Sequence, residues 1–181
     1  MEYLDIVDEK GNPTGQTAER KEVHRNGTPH RTAHVWVFRK HEGKVQVLLQ
    51  KRCKNKDSFP GCYDISSAGH IPAGMEVVNS ALRELKEELD FTVSEDELIE
   101  CGRKHVVIRN EFRDEPYEDN QYSTVYMMWR DVPAEEIVFQ KEEIESVMWM
   151  DFDALKKAVQ EQSIPNCIDM EELVMLESHI S

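Results

Sequence analysis

The segment Arg83-Glu-Leu-Lys-Glu-Glu88 places three carboxylates within five positions, and Ala81, Leu82, Leu85 and Leu89 recur around it at helical spacing. A helix advances about 100° per residue, so the apolar set forms one stripe while Glu84 and Glu88 stand a turn apart with Glu87 beside them. The pattern predicts an amphipathic helix packed on a core, with its acidic face held outward. Like charges this close repel, and a hard divalent cation, which prefers oxygen ligands, relieves them best. A solvated acidic face is the commoner fate of such a run. The stripe argues otherwise here, because it fixes where the carboxylates point. Arg83, four residues before Glu87, is placed to pair with it. Gly69 and Gly74 bracket the preceding Gly-His-Ile-Pro-Ala-Gly loop and are expected to supply unusual backbone angles at the helix start. The expectation is a Mg²⁺ or Mn²⁺ site made by Glu84, Glu87 and Glu88 for a phosphate-bearing substrate.

Gly69 through Phe91, 23 of the 181 residues, resembles the signature of the Nudix hydrolases. That signature runs Gly-x5-Glu-x7-Arg-Glu-U-x-Glu-Glu-x-Gly-U, with U aliphatic. Gly69, Arg83, Glu84, Leu85, Glu87 and Glu88 fall in register. Met75 stands where the pattern has Glu, with Glu76 one place later as its expected substitute in supporting the loop. Asp90 stands where the pattern has Gly, in a left-handed position that Asp adopts at modest cost. The resemblance implies an α/β (α+β) fold, an α/β/α sandwich around a mixed β-sheet. It also implies hydrolysis of a diphosphate by metal-activated water, with Glu84, Glu87, Glu88 and Arg83 in the catalytic machinery.

A formal net charge of −14 disfavours a nucleic-acid polymer as partner, whereas a small diphosphate-containing substrate is compatible because bound cations reverse the local field. No run reaches the roughly 18 apolar residues of a membrane span. The amino terminus lacks the basic start and apolar stretch of a secretory signal, so a cytoplasmic protein without membrane attachment is expected. Cys53, Cys62, Cys101 and Cys167 are scattered and read as reduced packing thiols.

One domain over 1–181 is expected. Residues 1–30 should hold a hairpin, Tyr3–Val7 with Pro13–Thr17, and a short helix over 19–24. His34–Phe38 and Val45–Leu49 read as a second hairpin, 54–62 as loop, and Tyr122–Trp129 and Val147–Met150 as strands. Asp153–Glu161 and Met170–Ser178 read as helices separated by Pro165. The polar stretch Asn110–Asn120, with five acidic residues and Pro116, reads as a functional loop. Trp36, Tyr122, Tyr126, Trp129 and Trp149 are expected in the core. A homodimer through a strand or helix edge is compatible with so acidic a chain.

Within the Nudix hydrolases the chain resembles the branch containing isopentenyl-diphosphate isomerase. His24, His30 and the Gly69-His70 pair align with that enzyme's metal-binding histidines, and Trp36-Val-Phe38 and Phe59-Pro-Gly61 with its neighbouring strand and loop. Its catalytic Cys and Glu fall at Ala68 and Gln121, neither of which can shuttle a proton. The resemblance therefore implies a hydrolase acting on a nucleoside diphosphate derivative or a similar small molecule. Isomerase is the first alternative, and a non-catalytic nucleotide-binding module, which would ordinarily have lost a helix carboxylate, is the second. The general base is open among Glu87, Glu111, Glu115, Glu118 and Asp119. His30 and His70 are candidates for metal binding or loop support. Lys51 and Arg52 are candidates to clamp the terminal phosphate.

Overall fold

The computed structural model describes residues 1–180. Strands β1 (Tyr3–Val7) and β2 (Pro13–Glu19) pair as an antiparallel hairpin and lead into helix α1 (Arg20–Asn26). The main sheet comprises β3 (His30–His41), β4 (Lys44–Arg52), β5 (Tyr63–Asp64), β6 (Ser67–His70), β7 (Ile99–Phe112), β8 (Glu115–Trp129) and β9 (Ile144–Asp151). Helix α2 (Val77–Leu89) follows β6, and α3 (Phe152–Glu161) and α4 (Met170–Glu177) close the chain. β3 and β8 run parallel while the other pairings are antiparallel, so the sheet is mixed, as expected.

β3 is central and obeys strand alternation. Ala33, Val35 and Val37 pack with Ala81, Leu85 and Leu89 of α2. Trp36 and Phe38 pack on the other face with Phe152 and Leu155 of α3 and Leu173 and Leu176 of α4. Two cores therefore sandwich the sheet. Leu82 is only partly buried, so the stripe on α2 narrows to the other three residues, with Ser80 completing it.

The β3–β4 pairing covers only Phe38–His41 against Lys44–Val47. Beyond Phe38 the strands splay, and β5 and β6 enter the gap, β5 on β4 and β6 on β3. Ser66 sits in the fork, where its hydroxyl accepts from the Val37 N–H at 2.9 Å and donates to the Leu48 carbonyl at 2.6 Å. This fork opens the cleft in which the functional side chains meet.

The stretch 110–120 is not a loop. It forms the ends of β7 and β8, a long hairpin paired from Ile99↔Met127 to Phe112↔Glu115, with Arg113 and Asp114 at its tip (φ 52° and 62°). Each strand residue of the stretch is paired across the ladder, Glu118 with Arg109 and Asp119 with Ile108, a pairing that local composition does not reveal. Helix α1 starts one residue later and ends two residues later than its expected 19–24 range, and residues 95–97 form a short 3₁₀ turn. Trp129 is 37% exposed, and Tyr122 stacks on His105 with ring centroids 4.1 Å apart, so neither belongs to the core, in contrast to Trp36 and Tyr126. No helix among the described residues is long and apolar enough to cross a membrane. All four cysteines are free.

Candidate active site

The fork opens into a cleft of about 450 Å³ lined by residues of β3 through β6, β8, α2 and the 54–62 loop. This volume suits a small-molecule ligand. Glu84, Glu87 and Glu88 all face it, together with Arg83. Gly69 lies in β6 with ordinary extended backbone. Its role is space, because a Cβ there would stand 2.5 Å from the Glu84 carboxyl carbon. Gly74 supplies the positive φ, 79°, and Asp90 caps α2 in the left-handed conformation at φ 54°. Glu76 is the exposed N-cap of α2 and its side chain makes no capping bond, so the substitute role expected for it is not visible in its contacts.

Arg83 makes its closer pairing with Glu84, Nη2 to Oε1 at 3.0 Å, and reaches Glu87 only at 3.7 Å. Glu88 accepts from the Gln50 side-chain amide at 2.8 Å. Burial, then repulsion from Glu84, pushes the Glu88 carboxyl well above the ordinary range; burial is also the main cause of the upward shift at Glu84. Both are recessed acids whose burial outweighs the positive charge near them. Glu87 is the exposed member, with 56% of its side chain accessible at the cleft mouth.

A second group of ligating atoms stands beside them. His24 of α1, His30 of β3, His70 of β6 and Asp119 of β8 offer one atom each, all within 4.8 Å of one another. His30 Nδ1 lies 2.9 Å from the Thr28 carbonyl and donates to it, so Nε2 is the ring nitrogen left for the other side of the ring. That nitrogen lies 3.0 Å from Asp119 Oδ1 outside hydrogen-bond geometry, and both atoms are buried without a hydrogen-bond partner. The ring nitrogens of His24 and His70 face each other at 3.2 Å. Burial holds His70 well below the usual imidazole range, hence neutral. Burial opposes charge on Asp119, but contact with His24 and His30 keeps its carboxyl below the usual range. The Tyr117 hydroxyl at 3.0 Å and the Gln121 amide at 3.1 Å donate to its other oxygen. Potential ligand atoms converging on one point form a cation cradle, and the imidazole-rich donor set suits a transition ion more than Mg²⁺.

Of the four carboxylates in 111–119 considered as bases, only Asp119 lines the cleft, and it sits among the histidines. Glu111 and Glu115 are exposed near the hairpin tip, and Glu118 points to Arg109 at 3.3 Å. Strand alternation also separates the two basic candidates. Arg52 faces the cleft, bound to Asp64 at 3.1 Å and to the Ser58 carbonyl. Lys51 turns away to Glu145 at 3.2 Å. Lys56 and Arg20, which sequence reasoning did not single out, join Arg52 on the cleft wall. Lys56 is paired with Glu143 and Arg20 with Glu2. Ala68 and Gln121 both line the floor.

Fold and site together define a mixed-sheet sandwich whose acidic helix and cation-ready donors meet in one forked cleft. The chain belongs to the NUDIX domain family, whose model matches residues 28–168. It is 39% identical over 156 residues to Nudix hydrolase 3 of Arabidopsis thaliana, covering 84% of this chain but 19% of that protein. It is 35% identical over 156 residues to an uncharacterized Nudix hydrolase of Clostridium acetobutylicum, covering 86% of this chain and 73% of that one. Among solved structures, DR0079 from Deinococcus radiodurans superposes with a TM-score of 0.69 at 18% identity, over 96% of this chain and 97% of that one. The NUDIX domain of Shewanella oneidensis NrtR complexed with ADP ribose gives 0.59 at 15% identity, over 91% and 94%. At these identities the structural likeness establishes the fold alone.

Proposed function

We propose that the protein is a divalent-metal-dependent hydrolase cleaving the diphosphate linkage of a nucleoside diphosphate derivative or a similar small molecule. The observation that carries this reading is the pair of recessed carboxylates, Glu84 and Glu88, both destabilised by burial and Glu88 also by Glu84, in a cleft that is lined as well by Arg52, Lys56 and Arg20. Acids and cations lining one cleft suit a polyanion bound through metal ions.

Glu84, Glu87 and Glu88 would hold Mg²⁺ or Mn²⁺, and His24, His30, His70 and Asp119 would hold a second, nitrogen-preferring ion. When bound, such ions neutralise the diphosphate oxygens and lower the pKa of a coordinated water. Arg52 and Lys56 orient the phosphates by charge-assisted hydrogen bonds. Arg83 fixes Glu84 by its 3.0 Å contact. Glu87, accessible at the mouth, would accept the proton of the attacking water through a carboxylate oxygen not engaged with the metal. Ala68 and Gln121 offer no proton donor or acceptor for an allylic shift, which favours hydrolysis over isomerisation. The presence of all three helix carboxylates favours chemistry over binding alone.

The test is a screen of nucleoside di- and triphosphates, ADP ribose, dinucleotides, coenzymes and isopentenyl diphosphate with Mg²⁺ or Mn²⁺, read by phosphate release and product mass. Glu88→Gln should reduce turnover by at least about a hundredfold while retaining the fold. Isomerised product without phosphate release would overturn the assignment.

A further inference from the structure

Residues 71–76 lead the chain from β6 into α2 and so set where Glu84, Glu87 and Glu88 stand. Met75 occupies the place of the signature Glu, and Glu76, the N-cap, makes no side-chain bond to the helix. The first turn of α2 thus has no side-chain cap to fix it. A carboxylate reaches this segment from elsewhere. Gly74, exposed and at φ 79°, donates its N–H to Asp5 Oδ2 of β1 at 2.9 Å. Arg31 of β3 donates through Nη2 to the same oxygen at 3.0 Å and to the Met75 carbonyl at 3.2 Å.

Anchoring the N-terminal hairpin does not account for this arrangement. Leu4 is fully buried, and backbone bonds from the Ala73 N–H to the Tyr3 carbonyl at 2.8 Å and from the Val7 N–H to the Pro29 carbonyl at 3.1 Å already hold β1 against the domain. The ion pair is costly by comparison: only 12% of the Asp5 side chain and 14% of the Arg31 side chain are accessible, and Arg31 Nε is buried without a hydrogen-bond partner. Its bonds go to the loop. Met75 then connects the loop to the acidic face, because its sulfur accepts from Arg83 Nη1 at 3.6 Å while Arg83 Nη2 holds Glu84 at 3.0 Å. Asp5 also lies outside residues 28–168, the span matched by the family model, as do Arg20 on the cleft wall and His24 in the cradle. The segment before residue 28 therefore supports the site at three points.

We propose that Asp5 is a positioning residue of the metal site. From the N-terminal hairpin it supplies the carboxylate that Met75 cannot, and through Gly74, Arg31 and Met75 it fixes the start of α2 and hence the placement of Glu84 and Glu88. The part played by those two as metal ligands rests on the hydrolase reading, whereas the hold of Asp5 on the loop does not.

The test is NMR of the ¹⁵N-labelled full chain, read by amide exchange at Gly74 and by a Mg²⁺ titration followed at the α2 amides. Asp5→Ala should speed exchange at Gly74 at least about tenfold and weaken Mg²⁺ binding about tenfold, the scale on which supporting contacts affect a metal site, while exchange in β3 and β8 stays as in the wild type. Asp5→Asn keeps an acceptor oxygen for the Gly74 N–H and should restore its protection and most of the Mg²⁺ affinity. Glu76→Gln should change neither reading. Arg31→Lys, which keeps the charge but not the planar fork, should weaken Mg²⁺ binding about threefold or more and gives the answer should Asp5→Ala not fold. Exchange at Gly74 or Mg²⁺ affinity unchanged in Asp5→Ala, full affinity in Arg31→Lys, or a loss in Glu76→Gln equal to that in Asp5→Ala would overturn the proposal. A wild-type chain whose α2 amides ignore Mg²⁺ would sink the hydrolase reading itself, and normal Mg²⁺ binding in both the wild type and Asp5→Ala would sink this proposal alone.

Discussion

Gly69 lies directly against the side chain of Glu84: a Cβ at position 69 would stand 2.5 Å from the carboxyl carbon and 2.8 Å from Oε1. No atom pair tolerates that approach, and because Glu84 is tied to Arg83 the displaced carboxylate would carry the guanidinium with it. Gly69→Ala is therefore expected to lower kcat/KM about a hundredfold, since a shift of about 1 Å at a catalytic group has that scale of effect. The extended backbone at 69 accepts Ala, so circular dichroism and melting temperature should change little. Unchanged activity would show that Glu84 has room to move.

The histidine cradle makes a separate prediction about metal content. His30→Ala or Asp119→Asn removes one of four converging ligating atoms and should abolish stoichiometric retention of Zn²⁺, Co²⁺ or Mn²⁺ after dialysis. Millimolar Mg²⁺ binding, which depends on the α2 carboxylates, should persist. Elemental analysis and calorimetric titration separate the two. In the wild-type chain a retained ion should raise the melting temperature by mass action. Loss of both metals in Asp119→Asn would mean that the donor sets form one site.

The acidic face of α2 was legible because helical periodicity and side-chain type report it locally: Glu84, Glu87 and Glu88 do face one cleft. The sheet and the flanking helices followed from apolar runs of the right length. The fork between β3 and β4 was not legible, since it arises from two short strands, β5 and β6, whose pairing depends on residues far away in sequence. Asn110–Asn120 misled for a related reason. Its charged residues lie along paired strands, and composition reports polarity but not pairing. Strand alternation could have distinguished Arg52 from Lys51, because adjacent residues in a strand must face opposite ways. Glu172, 138 residues from His34, carries no local signal at all.

The Glu172–His34 pair sets a pH window for stability. The Glu172 carboxyl is held at about 2: burial opposes the charge, and His34 then Lys104 outweigh it. Its contribution is full above the unfolded value near 4.5 and is lost as pH falls from there toward 2. His34 is shifted upward, so its contribution is full below 6.5 and is lost as pH rises through its folded value. The pair should stabilise most between about pH 4.5 and 6.5. The melting-temperature difference between wild type and Glu172→Gln, measured from pH 3 to 9, should peak in that interval. The cost there should be about 3–5 kcal/mol, typical of breaking a buried ion pair. A difference independent of pH would mean that Glu172 acts through packing.

Asp90 ends α2 in the left-handed conformation at φ 54°, with its backbone N–H donating to the Leu85 and Lys86 carbonyls. An L-residue with a Cβ is strained there, and Asp is among the residues that bear the strain best. Glycine removes it, but it gives up the ion pair that Asp90 makes with Lys86. That pair is more than half exposed on both sides and contributes little. Relief of the left-handed strain should therefore prevail. Asp90→Gly is expected to stabilise the protein by about 0.5–1 kcal/mol in denaturant unfolding. Activity should be unchanged, because Asp90 does not line the cleft and α2 keeps its register. A loss of stability would mean that the Lys86 pairing, not the backbone conformation, selects Asp at this position.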